Sequence, residues 1–206
     1  MRVKRYQPLQ RRVRLALLMM SLGLGLTAGR AVAQAPSAQT LQLCAACHGE
    51  RGNSRLPGSP SLAAQPRIFI ENQLVMIREG LREVAPMKGL LADMKDEEFT
   101  ALAKYFSEQK IQPEATALDT SRAARGATLS KRGQCGSCHL PDYSGREQMP
   151  RLAGQREDFL LSSMKEFRDG RATGRDTIMV ATLRGMTDAE LTDLAHYFAT
   201  SGRGTQ

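Results

Sequence analysis

Two stretches of this 206-residue chain combine residue types that can do chemistry: Cys44-Ala45-Ala46-Cys47-His48 and Cys135-Gly136-Ser137-Cys138-His139, 91 residues apart. Two thiols separated by two residues share a helical turn. Both can bond the vinyl groups of one haem while the adjacent imidazole meets its iron, which is the c-type haem attachment string. The double occurrence predicts two covalently bound haem c groups, on Cys44 and Cys47 and on Cys135 and Cys138, with His48 and His139 as iron ligands. A thioredoxin-like pair would need a preceding strand in a βαβ setting, and none is visible. A four-thiol zinc site would have to join pairs 91 residues apart. Two haems consume all four thiols and leave none for disulfides.

Each iron then needs a sixth ligand or an open site. His196, the third histidine, stands where Lys104 stands in the other half of the chain and is read as a surface or interface residue. Of the ten methionines, Met1, Met19 and Met20 fall in an N-terminal leader, and Met76, Met149 and Met164 have no counterpart in the other half. Two pairs survive. Met94 and Met186 directly precede a terminal helix, where a hydrophobic staple is expected. Met87 and Met179 lie in the loop before it, which can reach over a haem face. Met87 and Met179 are assigned as the sixth ligands, against a reading as packing residues.

These residues must be positioned by a repeat. Pro60-Ser61-Leu62-Ala63-Ala64-Gln65 recurs as Pro150-Arg151-Leu152-Ala153-Gly154-Gln155, Arg78-Glu79-Gly80 as Arg168-Asp169-Gly170, and Tyr105-Phe106 as Tyr197-Phe198. A period near 91 is too long for a solenoid unit and suits duplicated small domains. The expected domains are 34–112 and 113–206, changing over at Gln112-Pro113-Glu114. Phe99, Leu102, Ala103 and Phe106 are spaced i, i+3, i+4, i+7, as are Leu191, Leu194, Ala195 and Phe198, so each half ends in an amphipathic helix. Thr187 and Glu190 form a capping box for the second of these. The first has Lys95 at the cap, without an acceptor. Middle helices are expected from Ile68 to Arg78 and from Phe159 to Arg168, closed by Gly80 and Gly170. No strand alternation appears, so the class is all-α.

Aromatic residues make up 5% of the chain and there is no Trp. Domains of some 80–90 residues with so few rings bury little surface alone, so a prosthetic group would complete each core. The formal charge of +8 suggests a nucleic-acid binder. The excess, however, sits in residues 1–33, which hold Arg2, Lys4, Arg5, Arg11, Arg12, Arg14 and Arg30 and no acid. Without them 22 basic side chains face 21 acidic ones, and a phosphate-binding surface loses its support. Positive residues 2–14, the apolar run Leu15–Leu26 and Ala31-Val32-Ala33 are ordered as a secretory signal peptide cut after Ala33. The apolar run is shorter than a membrane span of about 20 residues. The expected compartment is the periplasm; an uncleaved leader would instead give peripheral membrane association.

The chain resembles the di-haem class I cytochromes c of the cytochrome c4 type. The resemblance rests on Cys44-x-x-Cys47-His48-Gly49, the Pro-x-Leu-Ala-Gly/Ala-Gln segments at 60–65 and 150–155, the methionine loops and the terminal Tyr-Phe helices, and it covers nearly all of the chain after residue 33. It implies two tandem helical domains, each wrapped around one haem, with His48 and Met87 on one iron and His139 and Met179 on the other. It also implies that the Pro60 and Pro150 carbonyls hold the two imidazoles. There are departures: Ala64 stands where the pattern favours Gly, and Phe69 and Phe159 stand where an aromatic hydroxyl is common. Gly126 marks a close approach to the terminal helix, whereas its counterpart is Ala35, so looser packing is expected at the start of the first domain. Arg82 and Arg171 are read as solvated in preference to propionate partners.

Two filled axial positions leave no site for a substrate. The expected function is single-electron carriage between a quinol-oxidising complex or dehydrogenase and a terminal oxidase or reductase, without enzymatic activity. The partners would be redox proteins, docking through a local patch at an exposed haem edge. The alternatives are an electron-transfer subunit of a larger dehydrogenase complex and, at greater distance, a haem oxidoreductase such as a thiosulfate dehydrogenase.

Overall fold

The computed structural model describes residues 35–87, 89–112 and 116–202, which belong to one compact unit spanning residues 33–206. The expected signal peptide and its cut after Ala33 lie outside the described residues, as do Pro113 and Glu114 at the expected changeover. The first repeat forms α1 (Ala38–His48), α2 (Arg67–Arg78) and α3 (Asp96–Ser107). The second forms α4 (Thr120–Arg132), α5 (Cys135–His139), α6 (Glu157–Arg168), α7 (Thr177–Leu183) and α8 (Asp188–Thr200). Among the described residues no strand forms, only an isolated antiparallel bridge between Arg146 and Met149. None of their helices is long and apolar enough to cross a membrane.

The two periodic stripes bury as expected, and each builds its own core. In the first repeat Leu102, Ala103 and Phe106 of α3 pack with Ile70 of α2, joined by Leu41, Cys44, Leu74 and Met94. In the second, Leu191, Leu194 and Phe198 of α8 pack with Leu160 and Met164 of α6 and Leu183 of α7, joined by Cys135, Met179 and Met186. Each large aliphatic or aromatic side chain so buried contributes about 1.5–3 kcal/mol. The staple reading of Met94 and Met186 agrees with their place against the two cores.

The helix ends follow their capping residues. Thr187 Oγ1 accepts the Glu190 N–H at 3.2 Å and Glu190 Oε2 accepts the Thr187 N–H at 2.9 Å. At α3 only half of this exchange exists, because Lys95 has no acceptor; Glu98 Oε2 takes the Lys95 N–H at 3.0 Å. Gly80 and Gly170, at φ +69° and +67°, follow the ends of α2 and α6 in the left-handed conformation.

The starts of the two repeats differ. At Gly126 a β-carbon would stand 2.3 Å from the Asp193 carbonyl oxygen and 2.5 Å from Tyr197 Cβ, so α4 and α8 cross almost backbone to backbone. Ala35, its counterpart, precedes α1, and a groove of about 390 Å³ opens there between Pro36, Ser37 and Thr40 and the Lys95, Glu98 and Leu102 side of α3.

His196 overturns its surface or interface reading. It is 1% exposed, with Nδ1 2.9 Å from Glu157 Oε2 and Nε2 accepting the Asp119 N–H at 3.0 Å. It ties α8 to α6 and to the residue that caps α4.

The two halves meet through paired grips. Gln65 Nε2 donates to the Arg151 carbonyl at 3.1 Å while its Oε1 accepts the Arg151 N–H at 2.9 Å. Gln155 Nε2 donates to the Ser61 carbonyl at 2.8 Å while its Oε1 accepts the Ser61 N–H at 2.8 Å. Residues 61 and 151 are counterparts, as are the two glutamines. The Arg151 guanidinium adds a bond to the Ala63 carbonyl at 2.9 Å, and Asp158 Oδ2 accepts the Gly58 N–H at 2.9 Å. Elsewhere Gly174 lies against the Leu81 carbonyl, where a β-carbon would come within 1.9 Å of the oxygen.

Candidate haem sites

In the first repeat the motif lies wholly within α1, so Cys44, Cys47 and His48 share its last turns. In the second, Gln134 at φ +52° breaks the helix and the motif forms α5. The residue after each His is left-handed. Gly49 meets this freely at φ +74°, whereas Leu140 takes φ +70°. A branched side chain there carries a strain of about 1–2 kcal/mol. A β-carbon on Gly49 would stand 2.0 Å from the Asn53 carbonyl oxygen, so the tight loop needs glycine on that side.

Both imidazoles are held alike. His48 Nδ1 donates to the Pro60 carbonyl at 2.9 Å, with Ser59 Oγ at 3.3 Å, and His139 Nδ1 donates to the Pro150 carbonyl at 2.8 Å. A proton fixed on Nδ1 leaves the Nε2 lone pair as the one donor to a metal. The rings are 8% and 5% exposed. Burial lowers both pKa values below that of free histidine, against the opposing effect of the carbonyls, and so favours neutral rings. Cys44 and Cys135 pack against their cores, and burial raises both thiols. Cys47 and Cys138 are exposed. The two pairs belong to separate cores, so they do not assemble a shared zinc site. One thiol inward, one outward and one neutral imidazole form a donor set that fits a haem bound through two thioethers.

Met87 ends a 3-10 turn, Ala85–Met87, its N–H bonded to the Val84 carbonyl at 2.8 Å. Met179 does not lie in a loop. It sits in α7, because Asp176 Oδ1 accepts the Ile178 N–H at 2.8 Å and caps a helix whose end is anchored by Leu183, 2% exposed. Its side chain packs against the second core.

A residue pair that sequence reasoning left without a role closes these segments. Arg78 Nη1 bonds the Met94 carbonyl at 3.0 Å and Asp96 Oδ1 at 2.8 Å. Arg168 Nη1 bonds the Met186 carbonyl at 3.2 Å and Asp188 Oδ1 at 2.5 Å. Each arginine staples the end of the middle helix to the start of the terminal one, across the segment that carries Met87 or Met179. The repeat of Arg-acid-Gly was the available signal.

Arg82 is half-buried instead of fully solvated. Burial, reinforced by the like charge of Arg175, lowers its pKa to about 10, and Nη1 meets Gln73 Oε1 at 2.5 Å. Arg171 is solvated as expected, 65% exposed and paired with Asp169 at 2.9 Å. Arg151, 2% exposed, keeps one buried donor, Nε, without a protein partner among the described residues. An unmet cationic donor of this kind suits a cofactor that brings carboxylates.

The chain is similar to known cytochromes. The family model for Cytochrome c matches residues 123–201, and that for Cytochrome C oxidase, cbb3-type, subunit III matches residues 28–106. A curated cytochrome c4 of Pseudomonas aeruginosa is 30% identical over 191 residues, covering 87% of this chain and 94% of that protein. A protein of Thiomonas intermedia named thiosulfate dehydrogenase electron acceptor is 32% identical over 167 residues, covering 76% of this chain and 77% of its own length. The crystal structure of reduced recombinant cytochrome c4 from Pseudomonas stutzeri superposes with a TM-score of 0.72 at 29% identity, covering 81% of this chain and all of that one.

Proposed function

This chain belongs to the cytochrome c4 family, carries two covalent haem c groups at its Cys-x-x-Cys-His sites, and is a di-haem electron-transfer cytochrome; we infer that it works as an exported carrier of single electrons between redox proteins. The observation that carries the inference is the matched pair of buried imidazoles, each with Nδ1 tied to a proline carbonyl and only Nε2 open.

His48 and Met87 would hold one iron, and His139 and Met179 the other, in domains spanning 34–112 and 113–206. A bound haem would supply a reversible one-electron couple, and ligation by a methionine and a histidine would raise its potential. The chain fixes the tautomer of each histidine, keeps water from the rings by burial, and holds the methionine segments through Arg78 and Arg168. With His48 and Met87 on one iron and His139 and Met179 on the other, neither would have a position open for a substrate, and the chain would act as a carrier without catalysing bond chemistry. The exposed Cys47 and Cys138 bring each attachment point to solvent, where a partner can approach. With residues 1–33 removed as a signal peptide, the periplasm is its compartment. The charge left is close to neutral, so docking relies on local fit more than on steering. A quinol-oxidising complex or a dehydrogenase would supply electrons and a terminal oxidase or reductase would accept them.

The Thiomonas intermedia relative favours a second reading, a carrier dedicated to a particular dehydrogenase. Export with a functional haem-attachment system, followed by mass determination and redox titration, tests the first reading. Two haems per chain and two one-electron steps are expected; one haem, or unmodified thiols, would end it. Mixing the reduced protein with a purified terminal oxidase, and the oxidised protein with a thiosulfate dehydrogenase and thiosulfate, separates the two readings by which exchange is fast.

A further inference from the structure

We propose that Gln65 and Gln155 are positioning residues for the opposite haem: each glutamine, reaching across the interface, sets the strength of the hydrogen bond that holds the other domain's histidine. The proposal rests on the reading of His48 and His139 as iron ligands.

The peptide group joining Pro60 to Ser61 has two sides. Its carbonyl accepts from His48 Nδ1 at 2.9 Å, and its N–H donates to Gln155 Oε1 at 2.8 Å. The peptide group joining Pro150 to Arg151 repeats this, accepting from His139 Nδ1 at 2.8 Å and donating to Gln65 Oε1 at 2.9 Å. Each imidazole is therefore one end of a chain of hydrogen bonds that passes through a single amide and ends on a side chain of the other half. Ser61, Gln65, Arg151 and Gln155 are 5%, 3%, 2% and 3% exposed, so little water competes for the bonds. The glutamine Nε2 donors, on the Ser61 and Arg151 carbonyls, hold each side chain in place.

Bonds in such a chain strengthen one another. An amide whose N–H is engaged places more charge on its oxygen, and at low dielectric the effect is larger than in water. A stronger acceptor at Nδ1 makes the imidazole more basic at Nε2, which favours ferric iron. Removing the distant acceptor weakens the bond at the histidine and favours ferrous iron. The two chains differ at both ends: Ser59 Oγ also lies 3.3 Å from His48 Nδ1, and Gln155 Oε1 also accepts the Arg156 N–H at 3.0 Å.

The test uses full-length exported holoprotein carrying Gln155→Leu or Gln65→Leu, with the two midpoints followed by hyperfine-shifted NMR signals during a redox titration. Signal sets are assigned by the selective change in Met87→Ala. Gln155→Leu is expected to raise the midpoint of the haem on Cys44 and Cys47, changing its ferric-to-ferrous ratio at fixed poise about two- to three-fold, and to leave the other unchanged. Gln65→Leu is expected to do the reverse. Amide exchange at Ser61 or Arg151 should accelerate in the matching variant. Asp158→Ala, which removes another bond across the interface together with a negative charge, should not reproduce the reciprocal pattern of the two glutamine variants. A shift in the variant's own domain, equal shifts in both, or none would overturn the proposal. Failure of the underlying ligand reading is seen separately, in the wild type, as a labelled His48 or His139 without iron-shifted resonances.

Discussion

Gly126 on α4 and Asp193 on α8 are in backbone contact, so closely that a β-carbon on the glycine would lie 2.3 Å from the aspartate carbonyl oxygen. The first substitution to test follows directly. Gly126→Ala should force the two helices apart and destabilise the second domain by about 1–3 kcal/mol, the usual cost of overpacking. Chemical denaturation followed by helical circular dichroism measures it. A variant as stable as the parent would mean that the crossing is softer than it looks.

Met87→Ala and Met179→Ala should each remove about half of the methionine-to-iron charge-transfer absorption of the oxidised protein, because each iron would lose its thioether. The double variant should lack the band altogether. Retention of the full band in either single variant would contradict that ligand assignment.

Arg78→Ala and Arg168→Ala should loosen the methionine segments without unfolding the helices that flank them. Each arginine bonds the carbonyl of the methionine before the terminal helix, Met94 at 3.0 Å and Met186 at 3.2 Å. On heating, the charge-transfer band of the affected haem is expected to fade well below the temperature at which helicity is lost. Simultaneous loss of both signals, as in the parent, would count against a clasp.

Acid should weaken the second terminal helix through Glu190. The Thr187 backbone N–H, then the Arg132 guanidinium and the Thr187 hydroxyl, hold this carboxyl below the usual glutamate range. A folded pKa below the unfolded one, about 4.3, gives stabilisation that is present above the unfolded value and lost as pH falls through the folded one. Melting midpoints measured from neutral pH to about pH 3 should therefore fall less steeply in Glu190→Gln than in the parent. Equal slopes would remove Glu190 from the acid response.

The chemistry was legible in the sequence because it is local. Cys-x-x-Cys-His needs one helical turn, the Thr187–Glu190 cap needs four residues, and the duplication exposes Gly80 and Gly170 by simple alignment. What escaped depends on distant partners. His196 reads as a surface residue until Glu157 and Asp119, which belong to other elements, are seen to enclose it. Arg82 reads as solvated until burial and Arg175 are known. Met179 reads as a loop residue until Asp176 is seen to cap the short apolar run after it. The glutamines were visible as repeated letters, but alignment cannot say that each one's partners lie in the other half.

The crossed glutamine grips have a consequence for the history of the chain. An arrangement in which Gln65 holds residue 151 and Gln155 holds residue 61 maps onto itself when the halves are exchanged. That is the isologous contact two identical subunits make about a twofold axis. A single-domain ancestor associating with its own copy would have possessed both grips already, and end-to-end fusion would have preserved them. Ser61 and Arg151 then mark where the fused copies ceased to be interchangeable: one seat keeps a small hydroxyl, and the other lends a guanidinium to the Ala63 carbonyl that serine could never reach.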